Sequence, residues 1–295
     1  MICPQCQSQN PDNARFCENC GTRLEKPAAK MVEKPAANDG PGALPPTGSD
    51  LAPGDIFADR YRIESEVGRG WMGVVYAAND KLTDHKLALK LVRPERLVVK
   101  DALKRIVREV VMSRDIRHQN VVAVYDAGEV GGVPYVATEL LQGSSLWDYN
   151  RKHLLTAEGW PVSSAVEIVR QLLAGLKAAH AAGVVHRDLK PTNILLLDDP
   201  AKRIVLKITD FALAAASGST ETGATSMGGT AYMSPEQIAA PDAAKPSADI
   251  YSLSAIFYEL LTGVASTGNW QPPSQGRNDA PPALDRLIEK GLSNN

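Results

Sequence analysis

The run His186-Arg187-Asp188-Leu189-Lys190-Pro191-Thr192-Asn193 constrains this chain more than any other stretch. It places an imidazole, a guanidinium, a carboxylate, an ammonium and an amide within eight residues. No common structural element accounts for such a run. Short strand-like segments follow at Ile194–Leu197 and Val205–Ile208, and Asp210-Phe211 comes directly after the second. A polar cluster leading into strands in this way reads as chemistry carried on a loop.

The rest of the chain divides by composition. Residues 1–24 hold all four cysteines. Residues 25–54 are rich in Pro, Ala and Gly, lack apolar periodicity and read as a semi-flexible linker. Residues 55–295 have a globular pattern. The first part of it reads as strands at Tyr61–Val67, Val74–Asn79, Lys86–Val92, Val121–Gly128 and Pro134–Leu140. Between them, Asp101–Arg114 carries Leu103, Ile106, Val107, Val110 and Val111 at helical spacing. Long helices are predicted over Ser163–Ala182 and Ser247–Thr262. A net charge of -2 and a hydrophobic fraction of 44% argue against disorder and against a basic nucleic-acid binder. No apolar run nears the ~20 residues that span a bilayer. The start, Met1-Ile2-Cys3-Pro4, lacks the form of a secretory signal, so the expected location is cytoplasmic.

Cys3-x-x-Cys6 and Cys17-x-x-Cys20 form two knuckles separated by ten residues. Each tight turn directs two thiolates to one side, and two such turns close a tetrahedron around Zn²⁺. Few core residues accompany them, chiefly Ile2, Phe16 and Leu24. Metal would then supply most of the folding free energy, on the order of 10 kcal/mol. A redox role for the CxxC pairs is the rival, but no thioredoxin-like βαβ pattern surrounds them. The segment resembles the zinc ribbons that begin many bacterial proteins. With four thiolates bound, the site is closed to catalysis, and the module is expected to bind a protein partner or cap the terminus.

Gly68-Arg69-Gly70-Trp71-Met72-Gly73-Val74-Val75 is a glycine-rich loop between two predicted strands. Glycines there let backbone N–H groups approach phosphate oxygens. The loop alone is a weak signal, because dinucleotide-binding folds also use it. Here a strand follows the last glycine, and no acidic residue appears at the dinucleotide-binding spacing. Seventeen residues after Gly73 comes Lys90, inside the apolar strand Ala88-Leu89-Lys90. A lysine in that setting calls for an anionic partner, and Glu109 on the predicted helix is the natural one. Taken alone, the pair also fits a lysine snorkelling from an edge strand.

Together these motifs resemble the catalytic domain of protein kinases, and the run Tyr232-Met233-Ser234-Pro235-Glu236-Gln237 looks most like the bacterial Hanks-type serine/threonine kinases. The resemblance extends from about Tyr61 to Leu292. It implies an α+β fold of two lobes behind the zinc ribbon, with a β-rich lobe over about 55–140 and a helical lobe over about 141–295. It also implies ATP with Mg²⁺, or Mn²⁺ in its place, and protein substrates. By resemblance Asp188 accepts the proton of the substrate hydroxyl, Lys190 steadies the transferred group, and Asn193 and Asp210 bind Mg²⁺. Gly68, Gly70, Gly73 and Lys90 would hold the phosphates, with Glu109 orienting Lys90. Val75, Ala88 and Leu195 would sandwich adenine. Thr138 would be the gatekeeper, and Glu139-Leu140-Leu141 would supply hinge contacts from the backbone. Asp249 would brace the backbone of the catalytic loop.

The sequence departs from the family at three places. Ala212 stands where the family has glycine after Asp210-Phe211. Gly229 stands where it has a threonine that ties Asp188 and Lys190 to the substrate loop, with Thr230 one place late. The chain ends at Asn295, before the family's last helix and the arginine that pairs with Glu236. These departures leave a non-catalytic scaffold, a pseudokinase, as the alternative to an active enzyme. The segment Leu213–Gly229 is rich in Ser and Thr, and Arg187 would pair with a phosphate placed there, Thr222 and Thr225 being the best acceptors. A plain polar loop has the same composition. His85, His118, His153 and His180 have no constellation around them in the sequence. Metal analysis of the purified chain is expected to find about one zinc per chain, lost when Cys3 and Cys6 are both replaced by serine.

Overall fold

The computed structural model describes residues 2, 8–9, 51–70, 72–94, 110, 112–153, 159–201, 203–211, 229–240, 245–266 and 271–293. Glu109, Ala212, Thr222, Thr225 and the four cysteines lie outside the described residues. Most of the helix expected over 101–114 does too, although residues 110 and 112–113 at its end are helical.

Six strands form one antiparallel sheet. They are β1 (Ile56–Phe57), β2 (Tyr61–Arg69), β3 (Gly73–Asp80), β4 (His85–Val92), β5 (Val124–Val130) and β6 (Val133–Glu139), in the order β1-β2-β3-β4-β6-β5. Gly131 and Gly132 join β5 to β6, both at positive φ (59° and 80°), as a tight two-residue hairpin requires. At the start of β3 the β4 backbone comes so close that a Cβ on Gly73 would lie 1.9 Å from the Leu91 carbonyl oxygen. Tyr61, Ile63, Tyr76, Leu87, Leu89 and Ala137 fill the inner face of this sheet. Leu51 packs there as well, and its N–H donates to the Tyr76 hydroxyl.

The second half is helical around a smaller sheet. β7 (Gly143–Ser145), β8 (Ile194–Leu197) and β9 (Leu206–Ile208) pair antiparallel in that order. The helices are α1 (Leu146–His153), α2 (Val162–Ala181), α3 (Pro235–Ala239), α4 (Pro246–Thr262), α5 (Pro273–Gly276) and α6 (Pro282–Leu292). α4 is buried on nearly every side, and Ala255, Ile256, Leu260 and Leu261 are at most 1% exposed. A helix apolar all round belongs at the centre of a lobe. α2 presents Ile168, Leu172 and Leu176 to the same core. α4 ends at Gly263, whose φ of 74° is the left-handed cap that glycine accepts most readily.

The predicted strands and long helices reappear with ends shifted by a few residues. The strand expected from Val121 starts only at Val124. Val121 instead forms a single parallel bridge with Ile208, and the Val122 N–H donates to the Ile208 carbonyl. Elements that sequence periodicity did not reveal are short or lie late in the chain. α1 is one of them, too brief to show a period. α6 is another, and it lies flat on α4. A Cβ on Gly291 would stand 1.9 Å from Ser254 Oγ, and Ile288 is 1% exposed. Among the described residues no helix is long and apolar enough to cross a membrane. Ile288→Ala is expected to lower unfolding free energy by about 2–4 kcal/mol, seen as a lower urea midpoint with an unchanged slope.

Candidate active site

The catalytic run folds as a loop closed by a 3-10 turn at Pro191–Asn193. α4 grips its backbone from one side. Asp249 Oδ2 accepts from the His186 N–H at 2.9 Å, and Oδ1 accepts from the Arg187 N–H at 2.9 Å. His180 Nε2, from the last turn of α2, donates to the same Oδ2 at 2.7 Å. A carboxylate with 0% exposure is tolerated only when donors of this kind surround it. Arg187 needs the grip, because it sits at φ 64°, a region that costs roughly 1–2 kcal/mol for a residue with a side chain.

His186 links this loop to the segment carrying Asp210. Its Nε2 donates to the Thr209 carbonyl at 2.8 Å, while its Nδ1 accepts from the Asp188 N–H at 3.2 Å. A carbonyl can only accept, so the ring proton is on Nε2. The His186 ring lies 4.6 Å from the ring of Phe211, which is buried. Thr209 N–H donates to the Asn193 carbonyl at 2.9 Å, closing the loop onto the same segment.

The reactive groups converge above this base. Lys190 Nζ lies 2.8 Å from Asp188 Oδ2. Asn193 Nδ2 donates to the Asp188 carbonyl at 2.8 Å and to Asp188 Oδ2 at 3.1 Å. That orientation leaves Asn193 Oδ1 as the atom available to a metal. Lys90 Nζ reaches across from β4 to Asp210 Oδ1 at 2.8 Å. Burial pushes the Asp210 carboxyl up, but the charge and hydrogen bond of Lys90, helped by Lys190, outweigh it and hold the group below the usual carboxylate range. A carboxylate and an amide oxygen are donors of the kind that suits Mg²⁺, so the chemistry of these residues fits the ion.

Strand register explains why the sheet residues gather. Val75 is opposite Lys90, Ala77 is opposite Ala88, and Ala88 is opposite Thr138. Residues opposite each other, or two apart on one strand, share a face. Val75, Ala88, Lys90 and Thr138 therefore stand on one face of the sheet. Gly68 and Gly70 have open space where a Cβ would be, and Gly70 N–H closes the loop on the Gly73 carbonyl at 2.9 Å. Leu195 stands half-buried on β8, and Leu141 is half-buried at the link to β7. Glu139 ends β6. Its N–H is taken by the Ala123 carbonyl at 3.0 Å, and its own carbonyl accepts from the Thr138 hydroxyl at 3.4 Å. Thr230 is exposed, and its hydroxyl bonds neither Asp188 nor Lys190 among the described residues.

Three contributors were not legible beforehand. His180, grouped above with histidines lacking a constellation, is a partner of Asp249. Lys207, on β9, bonds Glu139 Oε1 at 2.5 Å, and the Ala123 N–H bonds the same oxygen at 2.7 Å. Gln237 reaches the Arg187 carbonyl from α3. A position six residues ahead of His186 was the one available signal for His180, and nothing marked the other two.

Known proteins resemble this chain in sequence and in fold. Residues 61–280 match the family model of the protein kinase domain, and residues 2–24 match that of a zinc-ribbon domain. The chain is similar to the probable serine/threonine-protein kinase PknB of Lactococcus lactis, 37% identical over 213 residues, 71% of this chain and 32% of that protein. It is 33% identical to the serine/threonine-protein kinase pkn3 of Myxococcus xanthus over 267 residues, 82% of this chain and 48% of the relative. Among solved structures, the PknI kinase domain of Mycobacterium tuberculosis matches with a TM-score of 0.68 at 24% identity, covering 83% of this chain and 91% of that one. The last likeness shows the fold. The chain spans about a third to a half of the length of these curated relatives. Asp249→Asn puts an amide N–H₂ against the loop donors. It is expected to lower stability by about 2–4 kcal/mol and to strip hydrogen-exchange protection from the amides of His186 and Arg187.

Proposed function

The chain belongs to the protein kinase family, and on that premise we propose that it transfers the γ-phosphoryl group of ATP to serine or threonine hydroxyls of proteins. What supports this reading is two close ion pairs, Lys190 with Asp188 and Lys90 with Asp210, each at 2.8 Å, with Asn193 Nδ2 donating to Asp188 Oδ2 at 3.1 Å. Asp188 takes the proton of the attacking hydroxyl. Lys190 leaves its pairing with Asp188 to meet charge on the group in transit. Lys90 turns from Asp210 to the α- and β-phosphates, with Glu109 orienting it. Mg²⁺, or Mn²⁺ in its place, held by Asn193 and Asp210, would neutralise phosphate charge. Positioning and electrostatics of this kind make up most of phosphoryl-transfer catalysis.

Adenine would lie against Val75, Ala88 and Leu195, with Thr138 at the back and the backbone of Glu139 to Leu141 at the edge. Lysine two residues after Asp188, as in the serine/threonine members, supports the choice of hydroxyl. Thr222 and Thr225 are proposed as phosphate acceptors that Arg187 would hold. Cys3, Cys6, Cys17 and Cys20 would bind a structural Zn²⁺, and the ribbon they form would dock a protein partner. Free thiolates suit a cytoplasmic setting.

The deciding experiment incubates the purified chain with radiolabelled ATP and Mg²⁺, beside Asp188→Ala. The expected result is label on the chain or on a generic substrate, with transfer by the variant lower by on the order of 10²–10⁴-fold. Nucleotide binding with no label above the variant's background defeats the proposal and leaves a scaffold.

A further inference from the structure

We propose that Gln237 is a positioning residue for the catalytic aspartate, holding the one peptide unit that decides where Asp188 points; this rests on the phosphotransfer reading above. Arg187 O and Asp188 N are the two polar atoms of a single planar peptide. Gln237 Nε2 donates to that carbonyl at 2.6 Å, and His186 Nδ1 accepts from that N–H at 3.2 Å. On the other side of Arg187, its N–H is fixed by Asp249. The unit is thus clamped at both ends, next to a residue held at φ 64°.

The Gln237 amide has no freedom to turn over. Its Oε1 accepts from the Ser234 N–H and the Ser234 hydroxyl, each at 3.3 Å, as one half of a capping box at the start of α3. Its Nε2 meets an atom that can only accept. Donor and acceptor ends are therefore assigned by their partners, and the side chain is 3% exposed. Gln237 also lies just beyond the segment where Gly229 replaces the threonine that ties the substrate loop to Asp188 in the family. With Thr230 exposed, Gln237 supplies a tie from α3 to the catalytic loop.

A capping box accepts Gln or Glu at this position, which separates the two jobs of the side chain. Gln237→Glu keeps the cap and replaces the donor with an oxygen facing a carbonyl oxygen. It is expected to lower kcat by on the order of 10–100-fold with KM for ATP near wild type, and to lower the unfolding midpoint, because a buried carboxylate oxygen then faces a carbonyl oxygen. Part of the loss is expected to return as pH falls and the new carboxyl gains a proton to donate. Ser234→Ala removes a hydroxyl from the cap and spares the Arg187 bond, so it is expected to lower the midpoint and keep kcat. Hydrogen exchange over residues 186–190 is expected to quicken in Gln237→Glu and not in Ser234→Ala. Wild-type kcat and exchange in Gln237→Glu overturn the inference alone, as does an equal kcat loss in Ser234→Ala. Should Gln237→Glu not fold, Gln237→Met is expected to show the same kcat loss, and wild-type turnover by it overturns the inference. A wild-type chain that transfers no label defeats the proposed function, and the exchange measurement then still decides the inference.

Discussion

Asp249 carries a carboxylate on the central helix of the large lobe, at 0% exposure. Stripped of water, such a group would cost several kcal/mol, so the fold must bring donors to it. Two are backbone N–H groups of the catalytic loop, and the third is the imidazole of His180. The requirement also runs the other way. Arg187 sits in a left-handed conformation, and the loop keeps that shape because the buried carboxylate holds its N–H. The packing of an apolar helix and the aim of Asp188 are thus set by the same side chain.

The residues from Lys207 to Phe211 join this base to the sheet above. Lys207 bonds the carboxylate of Glu139 at the hinge. Ile208 bridges to Val121 and Val122 ahead of β5. The Thr209 carbonyl accepts a hydrogen bond from the His186 ring, Asp210 pairs with Lys90, and Phe211 packs on His186. Five consecutive residues therefore touch the hinge, the small lobe and the catalytic loop. A shift of this strand would move Asp210 and Glu139 together, since protein interiors transmit strain rather than absorb it.

The elements legible in the sequence were those whose own residues explain them. β2, β3 and β4 alternate or run apolar, α2 and α4 are long enough to show their period, and the glycines of the loop announce a close backbone approach that Gly73 displays. α1, α3 and α5 escaped because four to eight residues hold little periodic signal. α6 escaped because it follows a Gly/Pro-rich stretch, although Leu284, Ile288 and Leu292 recur every four residues and face the core on α4.

The sequence by itself determined the family, because the cluster from His186 to Asn193, with Lys90 and Asp210, is the pattern by which the protein kinase domain is known. Local spacing was enough for that inference, since each motif is contiguous. Tertiary structure alone decided which groups hold those residues in place. His180, Lys207 and Gln237 each act on a partner 50 or more residues away in the chain, and each is an ordinary polar residue until the fold sets it, half-buried or buried, beside that partner. Burial removes the competing water and turns a common side chain into a specific support. That change of environment leaves no trace in a linear spacing.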